Sequence, residues 1–272
     1  MTTELRVAKA HAYGNDFLLI HESTPIFQTR EPDYSLEAVR RLCSHHTGVG
    51  ADGVVLYGLD ERRATMQLFN ADGSPSELSG NGLRCLAALI ARDRQLAHGA
   101  VVTVETFAGT KTLELLAVEG ARYTFRTALG PPADIRQLNI PVLDETVAAS
   151  VLSVGNPQCV ILGALPDEDR FNRLGPALST HALFPAGTNV EFAQVEAPDR
   201  VRILIWERGV GPTSSSGTGS SAAAVAAAAH GGAAKDVEVI APGGSQRVEW
   251  RDDGLYLTGW AELVLEGTAY LT

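Results

Sequence analysis

The sequence predicts a duplicated fold that mixes strands with a few helices, two similar α/β (α+β) halves in one chain of 272 residues. Three observations carry that prediction. Strand-like and helix-like segments alternate along the chain. Short motifs recur in the same order at a nearly constant offset. One helical stretch has small residues on every face, as a helix closely surrounded by sheet requires.

Taken in order, "FLLIHE" and "GVVLYGL" read as strands, and between them "SLEAVRRLCSHH" reads as a helix with Ser35 as its N-cap. "NGLRCLAALIARDRQL" is a second helix. "VVTVETFAGTKTLELLAVEGARYTFRTA" reads as antiparallel strands broken at Gly109 and Gly120. "VRILIWE" is a strand that leads into the loop "ERGVGPTSSSGTGSS" and the helix "AAAVAAAAH", whose end is signalled at His230-Gly231-Gly232. The remainder is strand-rich, with turns at Pro242-Gly243-Gly244 and Asp252-Asp253-Gly254.

The repetition is specific. "NADGSPSELSGNGLRC" and "ERGVGPTSSSGTGSSA" each place a polar residue (Asn70, Glu207) at a strand end. Each then reaches a serine (Ser79, Ser216) that opens Ser-Gly-x-Gly and a helix. "AYGNDFLLI" and "SVGNPQCVIL" pair Asn15 with Asn156, and "GVGADGVVL" and "AGTNVEFAQV" pair Asp52 with Asn189. Three pairs in register argue for an internal duplication rather than a chance likeness of glycine-rich loops.

A Gly-x-Gly at a helix start exposes backbone N–H groups that have no partner within the helix, and the helix dipole adds positive potential there. A carboxylate suits such a place. Two such loops serving one amino acid would put a residue on each face of its α-carbon, one to remove the proton and one to return it. The exposed donors would then stabilise the charge that develops on the carboxylate. That is the layout of a cofactor-free racemase or epimerase.

Composition narrows the alternatives. A formal charge of −10 argues against nonspecific binding to nucleic acid or to an anionic membrane. No apolar run approaches a membrane span, and the N-terminus lacks the apolar core of a signal peptide. Cys43, Cys85 and Cys159 are too few and too scattered for a disulfide framework or a zinc site, so a cytoplasmic setting is expected. No metal-ligand spacing occurs, and no lysine sits beside a phosphate loop, so neither a metal nor pyridoxal phosphate is expected. All three cysteines read as core.

The segments "GNDFLLI", "GVGADGVVL", "FNADGSPSELSGNGLRC", "VETFAG", "VGNPQCVIL", "GTNVEF" and "WERGVGPTSSSGTG" together resemble diaminopimelate epimerase, the enzyme family that interconverts LL- and meso-diaminopimelate. The resemblance covers nearly the whole chain. It implies two pseudo-symmetric domains, residues 1–125 with 262–272 and residues 126–261. Each would be a curved, mostly antiparallel sheet around a central helix, with the site in the cleft between them. It also implies frequent pairing into homodimers. The unreactive end of the substrate would be held by Asn70, Asn156, Asn189 and Arg208, with backbone help from Glu207. The reacting carboxylate would lie on the N–H groups of Gly80, Asn81, Gly217 and Thr218, with Asn15 near the reacting amino group.

The departures fall on the proton-transfer groups. The family's two cysteines are Ser79 and Ser216 here, its histidine after Gly-Asn-Pro is Gln158, and a frequent glutamate is Pro212. Glu207 remains as a partner for Ser216. A hydroxyl is a weak base unless activated, whereas a thiol is easily poised near neutrality. Three accounts stay open. The first is a diaminopimelate epimerase of reduced or unusual activity. The second is an isomerase or racemase of another amino acid or carboxylate. The third is a non-catalytic amino-acid-binding protein on the same scaffold.

Overall fold

The computed structural model describes residues 3–28, 32–60, 63–76 and 79–271. The first eight strands are β1 (Thr3–Ala12), β2 (Asn15–His21), β3 (Gly53–Leu59), β4 (Ala64–Asn70), β5 (Pro75–Ser76), β6 (Val101–Thr106), β7 (Gly109–Glu119) and β8 (Arg122–Gly130). Helix α1 (Pro32–Cys43) joins β2 to β3, and α2 (Gly80–Asp93) joins β5 to β6. Then follow β9 (Ala133–Val142), β10 (Glu145–Ser153), β11 (Pro157–Leu162), β12 (Asn189–Ala197), β13 (Arg200–Glu207) and β14 (Gly211–Thr213). The last strands are β15 (Asp236–Ala241), β16 (Gly244–Arg251) and β17 (Gly254–Leu271). Helix α3 (Glu168–Ser179) joins β11 to β12, and α4 (Gly217–His230) joins β14 to β15.

The chain divides into two compact units, Met1–Thr127 with Gly259–Thr272, and Ala128–Thr258. Their pairing patterns repeat. In the first, β1–β2, β3–β4, β4–β5, β6–β7 and β7–β8 are antiparallel, while β2–β3 and β4–β6 are parallel. In the second, β10–β11, β12–β13, β13–β14, β15–β16 and β16–β17 are antiparallel, while β11–β12 and β13–β15 are parallel. Each parallel pair is bridged by a helix, the crossover that parallel strands need. Strand β17 does two jobs: its start pairs with β16, and its end, from Glu262 onward, pairs with β1. Strand β9 pairs with β10 and so does for the second unit what the end of β17 does for the first.

The strands β2 and β3 are apolar without interruption because both their faces are covered. Leu18, Ile20, Val54 and Leu56 pack with Ala38, Val39 and Leu42 of α1. Phe17, Leu19 and Val55, on the other face, pack with Leu83, Leu86 and Ile90 of α2. The second unit repeats this, with Cys159, Val190 and Phe192 toward α3 and Val160 and Ala193 toward α4. Helix α4 is buried from Ala222 to Ala227, and only small side chains let so many strands approach it. A leucine there would overpack the core, at a cost of about 1–3 kcal/mol.

Two details differ from the sequence expectations. Helix α1 starts at Pro32, not after Ser35. Proline's fixed φ suits the first turn, and the Ser35 hydroxyl donates instead to the Ile26 carbonyl at 3.1 Å. The third repeat pair also shifts by one position. Phe17 lies opposite Gly53 and Gln158 opposite Asn189, so the counterpart of Asn189 is Gly53 rather than Asp52. The register of the parallel strands sets this correspondence, whereas the likeness of the two loops suggested the other.

Candidate active site

In the first unit the polar groups gather where β1, β2 and β3 meet the start of α2. Ala12 and Asn15 are directly paired, so Tyr13 and Gly14 alone make the turn, with φ of 58° and 85°. A two-residue hairpin turn of type I′ requires such values at both positions. Tyr13 tolerates its own because its hydroxyl accepts the Trp260 N–H at 3.1 Å and its ring stacks on Trp260 with centroids 4.5 Å apart. The turn delivers Asn15 to Asn81 and Asp52. Asn81 Nδ2 donates to Asn15 Oδ1 at 3.2 Å, and Asn15 Nδ2 donates to Asp52 Oδ2 at 2.8 Å. Ser79 is the N-cap of α2, in extended conformation, and its Oγ accepts the Gly82 N–H at 3.1 Å. Asn70 ends β4 exposed, with its Nδ2 donating to Ser74 Oγ at 2.9 Å.

The second unit repeats the cap. Ser216 precedes α4 in the same extended conformation, and its Oγ accepts the Gly219 N–H at 3.2 Å. Its other neighbour is Thr218 Oγ1 at 3.4 Å. Each serine therefore receives one backbone donor, and the Ser216 hydroxyl also pairs with that of Thr218. The strand register brings Gln158 opposite Asn189 on β11 and β12. Gln158 Nε2 donates to Asn156 Oδ1 at 2.6 Å, and the Arg208 N–H donates to Asn189 Oδ1 at 2.9 Å. The Arg208 side chain is exposed, and its Nη1 donates to the Ala186 carbonyl at 2.8 Å.

The family model for diaminopimelate epimerase matches residues 7–132 and 150–264. The chain belongs to the diaminopimelate epimerase family. It is 41% identical over 280 residues to a diaminopimelate epimerase of Desulforudis audaxviator, covering 97% of this chain and 98% of the relative. It is 36% identical over 280 residues to one of Synechocystis, covering 97% and 99%. In fold it is similar to a hydroxyproline epimerase of Agrobacterium vitis, with a TM-score of 0.70, 15% identity and coverage of 99% and 92%. A predicted epimerase of Pseudomonas aeruginosa gives a TM-score of 0.72 at 14% identity, covering 97% and 98%. The protein is thus an isomerase of the epimerase type, with the α+β fold of that family.

Two buried ionisable groups of this epimerase are not evident from motif reading. Glu191, on β12 and 0% exposed, has neither carboxylate oxygen bonded among the described residues. Burial first, and the charge of Glu207 second, push it well above the ordinary carboxylate range. Burial raises Glu207 as well. A side-chain carbon on Gly219 would meet Glu191 Oε1 at 2.7 Å and Ser216 Oγ at 3.3 Å, so the absent Cβ makes room for the carboxyl beside the cap. Arg84, on α2 and 1% exposed, donates through Nη2 to Asn81 Oδ1. Both stand out in the sequence as lone charges inside apolar stretches, "GLRCLAALIA" and "NVEF".

The cysteines lie where the sequence puts them, in the core. Burial drives the thiols of Cys43 and Cys159 up to about 12, and raises Cys85 as well. Cys159 faces the α3 side of its strand, while its neighbour Gln158 points the opposite way. His11 accepts the Gly14 N–H and packs edge-on against Trp260, and His230 bonds Ser150 at 2.9 Å. No group of three metal-ligating side chains occurs among the described residues, nor is any described helix long and apolar enough to cross a membrane.

Proposed function

We propose that the chain interconverts LL- and meso-diaminopimelate by cofactor-free, two-base transfer of the α-proton, more slowly than a family member with thiols at positions 79 and 216. The observation that carries the reading is the pair of equivalent serine caps, Ser79 and Ser216, each at the start of a buried helix whose first N–H groups have no partner within the helix. In this reading the substrate carboxylate takes the N–H groups of Gly80, Asn81, Gly217 and Thr218. Ser216 Oγ takes the α-proton as its own hydroxyl proton passes to the Glu207 carboxylate. The Ser79 hydroxyl gives its proton to the opposite face of the α-carbon and is left as the alkoxide, which is the base in the reverse direction. Glu207 assists Ser216, and the distal amino-acid group is held by Asn70, Asn156, Asn189 and Arg208. Asn15 accepts from the reacting ammonium, because its amide nitrogen is already engaged by Asp52.

The rate follows from the atoms. Well-matched general acid–base catalysis contributes about 10²- to 10⁴-fold per group, and an unactivated hydroxyl loses much of that. Gln158 carries no titratable proton to help Ser79. Turnover in the cytoplasm, feeding lysine and peptidoglycan precursor synthesis, is the role such an activity would serve.

A second reading, a non-catalytic amino-acid-binding protein, is favoured by serine at both proton-transfer positions. An enzyme for a different substrate is disfavoured, because a changed substrate would first alter the four distal binding residues, and these match the family. Calorimetric titration with meso-diaminopimelate, L-lysine and L-proline tests the substrate. Diaminopimelate should bind at least tenfold more tightly than lysine, which lacks the distal carboxylate that Arg208 would take. Equal or weaker binding of diaminopimelate would refute the assignment.

A further inference from the structure

Arg84 poses a problem that the fold does not answer. Its guanidinium is fully buried at the first turns of α2, close to the positive end of that helix's dipole. No carboxylate pairs with it among the described residues, and its Nε has no hydrogen-bond partner among them. Its known company is the Asn81 side-chain oxygen, the face of the Tyr13 ring at 5.8 Å, and the backbone of Gly259, which leaves room for it by lacking a Cβ. The titratable groups facing it are Tyr13 and Cys85, neither of them anionic at neutral pH. A buried charge without a counter-charge is strongly unfavourable.

The second unit shows that the architecture does not need it. The equivalent position, with Ser79 matched to Ser216, is Ser221, whose hydroxyl donates to the Gly217 carbonyl at 2.8 Å. The same helix start is built there with a hydroxyl at that position in place of a guanidinium. What Arg84 does have is a directed chain of bonds. Arg84 can only donate, so Asn81 must turn its oxygen inward and its nitrogen toward Asn15. Asp52 can only accept, so Asn15 must turn its nitrogen to Asp52 and its oxygen toward Asn81. Both ends of the chain thus agree on the orientation of both amides. Arg84 Nη1 also lies 4.0 Å from the point a Cβ on Gly80 would occupy, at the first N–H donors of the helix.

We propose that Arg84 is a positioning residue of the carboxylate site on α2: its buried guanidinium is the counter-charge of the bound carboxylate, and it fixes which way the Asn81 and Asn15 amides are turned. The proposal rests on the reading that α-amino acids bind at this helix start. It makes the free protein carry a cost that the ligand relieves, so its signature is opposite to that of a structural residue.

The test compares wild type, Arg84→Gln, which keeps a donor for Asn81 but loses the charge, and Arg84→Met, which loses both. Melting is followed with and without meso-diaminopimelate, and affinity is measured by calorimetry. Both variants should melt at or above the wild type when free. Both should lose affinity by about tenfold to a hundredfold, the worth of a hydrogen-bonded charge. Arg84→Lys, which keeps a charge, should fall between them and wild type. Variants that fail to fold or melt well below the free wild type would overturn the proposal, as would variants that bind as wild type does. In that last case the functional reading stands alone. Should wild type bind another of the titrated amino acids in place of diaminopimelate, only the substrate assignment falls, and the variants are compared on that ligand. Should wild type bind none, both fall.

Discussion

Glu191 occupies in the second unit the place that Val55 occupies in the first. A Cβ on Gly219 would meet Glu191 Oε1 at 2.7 Å, and a Cβ on Gly82 would meet Val55 Cγ2 at 3.5 Å. Two copies of one turn thus differ by a buried acid against a branched hydrocarbon, beside the two serine caps. The duplication supplies its own control: the turn folds with an apolar residue, so the acid is a departure that the packing does not demand.

Stability should therefore fall with rising pH. A carboxyl raised by burial holds its proton more tightly in the folded than in the unfolded chain, so unfolding releases protons. Its contribution is full below its ordinary value of 4.5 and is lost as pH climbs through the raised folded value. Glu207, raised by burial, adds in the same direction. Urea midpoints between pH 5 and 9 should decline in wild type and decline less in Glu191→Gln and Glu191→Val. The gain for either variant at the alkaline end should be on the order of 1–3 kcal/mol. Parallel declines in all three would contradict an upward shift at Glu191.

The two glycines should respond differently to one methyl group. Gly82→Ala meets Met66 Cε at 3.3 Å, a flexible end that can yield, and alanine gains up to about 1 kcal/mol of helix propensity. Gly219→Ala drives into Glu191 Oε1 at 2.7 Å and should cost about 1–3 kcal/mol. Combining Gly219→Ala with Glu191→Ala should recover part of the loss. Denaturant midpoints of the four proteins give the cycle, and additive losses would refute the proposed contact.

The serine caps should contribute equally to folding, since their geometry is shared. Ser79→Ala and Ser216→Ala each remove a bond to the third helical N–H and should each cost about 1 kcal/mol. Both should also abolish α-proton exchange. A variant as stable as wild type would show that its serine is no cap, and one that still exchanges at the wild-type rate that it is no proton carrier.

Cysteine chemistry should be silent in the folded protein. With Cys43 and Cys159 pushed up to about 12 and all three thiols buried, a thiol reagent should label the native chain only as fast as it opens. Cys85→Ala should leave exchange unchanged within about twofold, with a modest loss of stability. Rapid labelling of one thiol together with loss of exchange would move the chemistry to sulfur.

Much of this was legible in the sequence, and the exceptions have physical causes. The Ser-Gly-x-Gly repeats are read from local chemistry, because caps and tight turns restrict residue type, and both serines stand as N-caps. Ser35 misled because a good capping residue three positions into a helix looks like its start, while Pro32 is a start signal only to a reader who expects one. Loop spelling pairs Asp52 with Asn189, whereas backbone register selects Gly53. Arg84 and Glu191 are singled out only by burial, which is a tertiary property. A lone charge in an apolar run reads as a surface position until both faces of the element are seen to be covered.

The central claim, that Ser79 and Ser216 stand at the two proton-transfer positions of an epimerase, is tested most directly by α-proton exchange. LL-diaminopimelate is incubated in D₂O with wild type and with the Ser79→Cys/Ser216→Cys variant, and deuterium content and stereochemistry are followed by NMR. The account predicts slow exchange with inversion in wild type and an acceleration of about 10²-fold or more in the double variant. Contradiction would come from a double variant that neither exchanges nor inverts although it binds the substrate, which would place the proton transfer at other atoms.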